Sequence, residues 1–375
     1  MAQVWERPRQ LKGRRVVFLI HLWIGLALTL WVILIGLSGS ALVFEDDLSR
    51  MLLPTATLPP TSLQVPMAVA VQSALRMLPR ATPYYVATPD SSIPFFRIWM
   101  RAGTHGREQV LTADARSGTI IPSQHSPAMR VLAALHDFHV DLLLVPTGLQ
   151  VNAILSAFLL IGLCSGMFLW WPGIRLWQRG LSVNRRHGWK RVNFDLHHAV
   201  GFWTLLWCLC WAVSGFYFGF PSVSQRVIGS MFAIRAMKPP LLDADIGVAE
   251  KPTLAAVLLK AQQQSPRAFL SGVSLPVSAE SPYIVTLDTR MPGDFSHRDI
   301  VQVSARSGRL LSVWHYGQNQ TPADTVLWGL YGLHFGTLWG MAWKVIWALL
   351  GLSLPLLAVT GCLMYWNRFL RRLVF

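Results

Sequence analysis

Acidic residues are the scarcest component of this chain. Only 18 Asp and Glu stand against 33 Lys and Arg, and charged residues together make up 14% of the 375 positions. Soluble globular domains carry about 25% charged residues. The shortage, with 53% apolar residues and a mean hydropathy of +0.40, excludes an ordinary soluble protein and directs attention to membrane spans. Cysteine is also sparse. Cys164, Cys208, Cys210 and Cys362 all fall inside apolar runs, so there is no disulfide framework, and the lack of a C-x-x-C-H motif excludes c-type haem attachment. Cys208 and Cys210, two residues apart, point to different sides of a helix and cannot form a tight metal pair; all four read as small buried fillers. No Asp or Glu lies in the core of any apolar run, and no flavin or nicotinamide motif is present.

What is present is long apolar sequence. A helix needs about 20 apolar residues to cross the hydrocarbon layer, and four segments reach that length: 16–44, 149–171, 196–220 and 345–366. The first follows a basic stretch and ends near Gly39-Ser40-Ala41, as a signal peptide would. It is about twice as long as a signal h-region and carries a histidine, so it reads as an uncleaved first span.

The net charge of +15 is distributed in a way that orients the chain and argues against nucleic-acid binding. Basic residues crowd the N-terminus (1–15), the 172–195 loop and the 367–375 tail, where only Glu6 and Asp195 oppose them. The positive-inside rule places those three regions in the cytoplasm and segments 45–148 and 221–344 outside, which in a bacterium is the periplasm of the inner membrane. The external segments combine short helical stretches with alternating strand-like runs such as "FFRIWMR" and "PYIVTLD". The expected fold class is an α-helical integral membrane protein with two α+β external domains.

The chain also reads as an internal repeat of span, external domain, span. An offset of 176 superposes His21 on His197, Gly25 on Gly201, and Ser38-Gly39 on Ser214-Gly215. An offset of 195 superposes His139 on His334 and Ser165-Gly166 on Thr360-Gly361. The external "ARSG" turns at 115–118 and 305–308 also match. Orientation sorts the histidines by depth: His21 and His197 lie near the cytoplasmic face, His139 and His334 near the periplasmic one.

Imidazole in a membrane needs a partner or a metal. Zinc or copper sites call for further Cys, His or carboxylate ligands at the same depth, and a proton relay calls for intramembrane acids; the runs offer neither. Haem requires one imidazole on each side of the iron and an apolar slot. The glycines supply room: Gly39 and Gly215 beside a periplasmic-side haem, Gly166 and Gly361 beside a cytoplasmic-side one, with Gly25 and Gly201 one turn from their histidines. Close helix packing is the competing explanation for all of these small residues. His198 and His136 are alternative ligands. Two bis-imidazole haems across a bilayer make an electron wire without an open oxygen site.

The stretches "LIHLWIGLALTL…GLSGSALVF", "FHVDLLLVPTGLQV…SGMFLWWP", "VNFDLHHAVGFW…SGF" and "LHFGTLWG…VTGCLMYW" resemble the PepSY-associated transmembrane family, and within it the inner-membrane ferrisiderophore reductases of the FoxB type. The resemblance covers nearly the whole chain. It implies PepSY-like periplasmic domains, two haem b groups and reduction of ferric siderophores for iron acquisition. The family's "DLH…G" pattern falls on His197. The "LH.DLLLG..G" pattern falls on His139, with Val145 in place of the first glycine. A cytoplasmic reductant or quinol would supply electrons. The alternatives are a non-enzymatic PepSY sensor or peptidase regulator, and a siderophore or haem transporter; the spans lack the broken helices and mid-membrane polar groups of a transporter. External residues such as Trp99, Arg101, Trp314 and His315 are available for docking, although each also suits a structural role.

Overall fold

The computed structural model describes residues 13–52, 64–89, 94–103, 108–121, 126–174, 176–186, 188–234, 251–278, 280–292, 297–317 and 321–370. The basic residues up to Lys12, Arg175 and the tail from Arg371 lie outside the described residues. The chain divides into two units, one built from 1–44, 134–224 and 333–375, the other from 45–133 and 225–332.

The first unit is helical. Its spans are α1 (Arg14–Leu42), α5 (Gly148–Trp170), α6 (Trp189–Gly219) and the pair α10 (Gly340–Gly351) and α11 (Ser353–Tyr365). Among the described residues, four helical stretches are therefore long and apolar enough to cross a membrane. Helix α6 begins seven residues before its expected boundary because the basic loop is tied to it. The carboxylate of Asp195 takes a 2.8 Å bond from Arg191 one turn earlier and another from the Asn184 amide, 3.3 Å away. The fourth span, expected as one helix, breaks at Leu352. Pro355 has no N–H to donate to the Gly351 carbonyl, so the helix restarts with proline in its first turn, where that loss is tolerated. Leu28, Val32, Cys208 and Leu354 form the buried core between spans, with Trp31 and Trp211 packed against it. Of the four cysteines only Cys208 is buried, and Cys164 is exposed.

The second unit contains helices α2 (Glu45–Leu52), α3 (Gln64–Met77) and α8 (Leu254–Gln264), and one antiparallel sheet ordered β3-β2-β1-β4-β5-β6-β7. Strands β1 (Ala81–Ala87), β2 (Phe95–Ala102) and β3 (Glu108–Asp114) come from segment 45–148. Strands β4 (Phe269–Ser274), β5 (Tyr283–Asp288), β6 (Arg298–Val303) and β7 (Leu310–Trp314) come from segment 221–344. Each half keeps its own helix and strands, yet the two α+β halves do not stand apart as two domains. Strand β1 pairs with β4 over Tyr85–Ser274, Val86–Val273 and Ala87–Gly272, which satisfies two strand edges that would otherwise be exposed. Alternation along β2 sends Phe96, Ile98 and Met100 into a core with Met67, Val257, Val273, Val285 and Val301, while Arg97, Trp99 and Arg101 face the other way. The two ARSG turns are built alike. Asp114 Oδ1 and Ser304 Oγ each accept the next backbone amides, and Gly118 and Gly308 take φ of +67° and +66°, where glycine avoids strain.

Helices α4 (Pro127–Asp141), α7 (Pro221–Met231) and α9 (Pro322–Phe335) complete the order. The C-terminal ends of α4 and α9 carry His139 and His334 into the helical unit.

Candidate functional site

Four histidines in the helical unit meet in two pairs. His21 on α1 faces His197 on α6 with ring centres 6.4 Å apart and planes at 81°. His139 on α4 faces His334 on α9, also at 6.4 Å, with planes at 61°. Each ring is held through Nδ1 by a hydroxyl of a different helix. His21 meets Ser165 Oγ at 3.2 Å and the Gly162 carbonyl at 3.0 Å. His197 meets Thr360 Oγ1 at 2.9 Å, His139 meets Ser38 Oγ at 2.9 Å, and His334 meets Ser214 Oγ at 2.7 Å.

Further groups fix the backbone beneath the second pair. The last turn of α4 leaves carbonyls without helical donors; Asn152 Nδ2 donates to the His139 and Val140 carbonyls at 2.7 and 3.1 Å, and is itself held through Oδ1 by Trp31 Nε1 at 3.0 Å. Trp347 Nε1 donates to the His334 carbonyl at 3.1 Å. Trp347 is the largest fully buried side chain among the described residues, 1% exposed, and packs edge-on against Trp207 and Trp211. Trp207 and Trp211 are themselves half-buried.

Small residues make the room. A Cβ on Gly166 would stand 2.9 Å from Cε1 of His21, and one on Gly39 would stand 2.8 Å from Cε1 of His139; both are closer than real Cβ atoms approach. Gly361 is roomier, at 3.5 Å from His197 Cε1. At the His21 end a cavity of about 1690 Å³ opens between the spans. Its wall includes His21, His197 and His198 together with Gly25, Gly166, Gly201 and Gly361. Among the described residues no group of three or more His, Cys, Asp or Glu converges on a metal-sized site, so the histidine pairs are not parts of zinc-type clusters.

The sequence profile of the PepSY-associated TM region matches residues 18–368. The chain belongs to the PepSY-associated TM family. Comparison with curated proteins gave no match.

In this PepSY-associated TM protein, nine of the ten principal site residues expected from sequence lie at the histidine rings or on the cavity wall. The exception is Gly215. A Cβ there would meet Ser156 Oγ at 2.7 Å, so this glycine serves contact between α5 and α6 and not a histidine ring. Of the two alternative ligands, His136 is exposed on α4, whereas His139 faces His334. His198 lines the cavity and packs on Phe194 at 4.1 Å, while its neighbour His197 faces His21. The four residues considered for docking are engaged within the sheet unit. Trp99 packs on Tyr85 and under Arg97, Arg101 sits over Tyr84 and pairs with Glu108, Trp314 stacks on Trp328, and His315 bonds Asp299 at 2.9 Å. Sequence reasoning missed the hydroxyl partners, Asn152 and Trp347. The serines and threonine were noticed for size, but no sequence signal links them to rings 101 to 163 residues away.

Proposed function

We propose that this membrane protein carries two haem b groups, one at each histidine pair, and passes electrons across the inner membrane to ferric siderophores. The observation that carries the reading is the spacing of the rings. A metal–imidazole bond is about 2.0 Å long and a ring nitrogen lies about 1.1 Å from the ring centre, so two imidazoles sharing one metal from opposite sides have centres about 6.2 Å apart. Both pairs stand at 6.4 Å. The donor set suits haem and is thin for zinc: two imidazoles at each pair and, among the described residues, no third His, Cys, Asp or Glu converging on them.

The surroundings support the same reading. The cavity at His21 and His197 is mostly apolar, and Arg15, Lys190 and Arg368 on its wall bring positive charge suited to the two carboxylates of a haem. Gly166 and Gly39 let a ring approach the helix backbone. Bound haem would supply a one-electron ferric/ferrous couple at each pair. His21 with His197, and His139 with His334, would hold the iron of each haem between two imidazoles, an arrangement that favours electron transfer over oxygen binding. Ferric iron suits the hard oxygen donors of hydroxamate and catecholate chelators, and ferrous iron suits them far less; one electron per metal therefore releases it. The electron donor is a cytoplasmic reductant or a quinol.

The test begins with colour. Membranes and purified protein are expected to show Soret and α bands that sharpen on dithionite, with two haems per chain by pyridine haemochrome assay. H21A or H197A should each leave one haem, as should H139A or H334A. Anaerobic addition of a ferric hydroxamate to the reduced protein should restore the oxidised spectrum. A colourless protein removes the redox reading and favours a PepSY regulator; two haems retained in an H21A/H197A double variant overturns the ligand scheme.

A further inference from the structure

Each hydroxyl that meets one of the four rings also has a backbone carbonyl of its own helix within hydrogen-bond reach. Ser165 Oγ donates to the Gly162 carbonyl at 2.8 Å, and Thr360 Oγ1 to the Leu356 carbonyl at 2.7 Å. Ser214 Oγ donates to the Cys210 carbonyl at 2.6 Å, and Ser38 Oγ to the Ile35 carbonyl at 3.2 Å. A hydroxyl has one proton and two lone pairs. With a carbonyl of its own helix in reach as the acceptor for its proton, each hydroxyl is placed to meet the imidazole as an acceptor, and the ring nitrogen it meets as Nδ1–H. An independent contact says the same at His21: the Gly162 carbonyl, 3.0 Å from Nδ1, has no proton to give.

From this geometry we infer that Ser38, Ser165, Ser214 and Thr360 are positioning residues that lock all four histidines in the Nδ1–H tautomer, so that every ring offers the Nε2 lone pair to iron and has its basicity set by a neutral hydroxyl acceptor. The inference rests on the haem reading above. A partner on the outer ring nitrogen fixes tautomer and orientation and raises ligand basicity. A hydroxyl does so less than a carboxylate would. The helix hydroxyl thus becomes a control on reduction potential: removing it weakens the ligand and favours ferrous iron, raising the potential.

Variants of Thr360 separate this role from packing. T360V keeps the side-chain shape and loses the hydroxyl; T360S keeps the hydroxyl and loses a methyl group. Purified full-length holoprotein is titrated spectroelectrochemically alongside haem content, with S214A as the corresponding change at the second pair. The expected result is a T360S protein like the parent. T360V should favour ferrous iron by about tenfold at one centre, a rise of ~59 mV for one electron, or lose that haem. S214A should do the same at the other centre only. A structural role predicts the opposite order, with T360S impaired and T360V normal, and that result overturns the inference, as do unchanged potentials in both T360V and S214A. A parent protein without haem instead overturns the reading on which the inference stands, so the two failures are distinct.

Discussion

Glycine and hydroxyl residues decide whether the imidazoles reach their places, and they do so at distances where one methyl group matters. A methyl at Gly166 or Gly39 falls 2.9 or 2.8 Å from a ring carbon, whereas at Gly361 it falls at an ordinary 3.5 Å. We therefore expect G166A and G39A each to lower haem occupancy at their own centre at least twofold, and G361A to keep it, as read from haem-to-protein ratios after purification. Loss in G361A with full occupancy in G166A would contradict the ring placement. The histidines themselves were legible in the sequence because imidazole is uncommon in apolar runs and recurs at fixed offsets. Which of His197 and His198 faces the partner followed from its alignment with His21. The hydroxyl contacts were not legible, because a serine that packs helices and a serine that accepts from a ring look the same until the helices are brought together.

The elements differ in how far local sequence determines them. Spans α1 and α5 follow from uninterrupted apolar runs, and both observed boundaries lie within two residues of expectation. The fourth span shows why composition alone misses a break: Pro355 leaves hydropathy untouched while removing one backbone donor. Strand positions were readable from alternation, but the partnership of β1 with β4 was not. It joins residues almost 190 positions apart, and alternation carries no record of which edge meets which. At that seam Gly272 lies under the Tyr85 ring and 2.7 Å, measured from an added Cβ, from the Val86 carbonyl. G272V is expected to wedge the seam open at a cost of about 1–3 kcal/mol. Faster limited proteolysis of the sheet unit in the full-length protein, with the haem spectrum unchanged, is the outcome that would bear this out; unaltered cleavage would count against a close seam.

For the molecule as a whole, charge is the strongest predictor and the least structural one. Basic residues gather in the 172–195 loop and at both termini, which sets the expected orientation without reference to any fold. Two exposed positions test it. A cysteine at Met291 should react with a membrane-impermeant maleimide in spheroplasts, whereas one at Ser182 should react only after permeabilisation, against the background of the four native cysteines. The reverse pattern would invert the direction of electron flow proposed above. Family membership was legible because the span motifs cover nearly the whole chain. The joining of segments 45–148 and 221–344 in one sheet was not, since two α+β segments can fold side by side or together with the same local sequence.

Helix α1 carries His21 near one end and Ser38-Gly39 near the other, and α6 carries His197 and Ser214 in the same order. Each helix thus works as a ruler whose graduations are residues. Seventeen steps of about 1.5 Å put the ring of one centre roughly 26 Å from the hydroxyl that serves the next. One inserted residue would turn the far mark by about 100° and carry the hydroxyl off its ring. The separation of the two histidine pairs is therefore written as a residue count, identical in both helices, and side chains between the marks can change far more freely than their number.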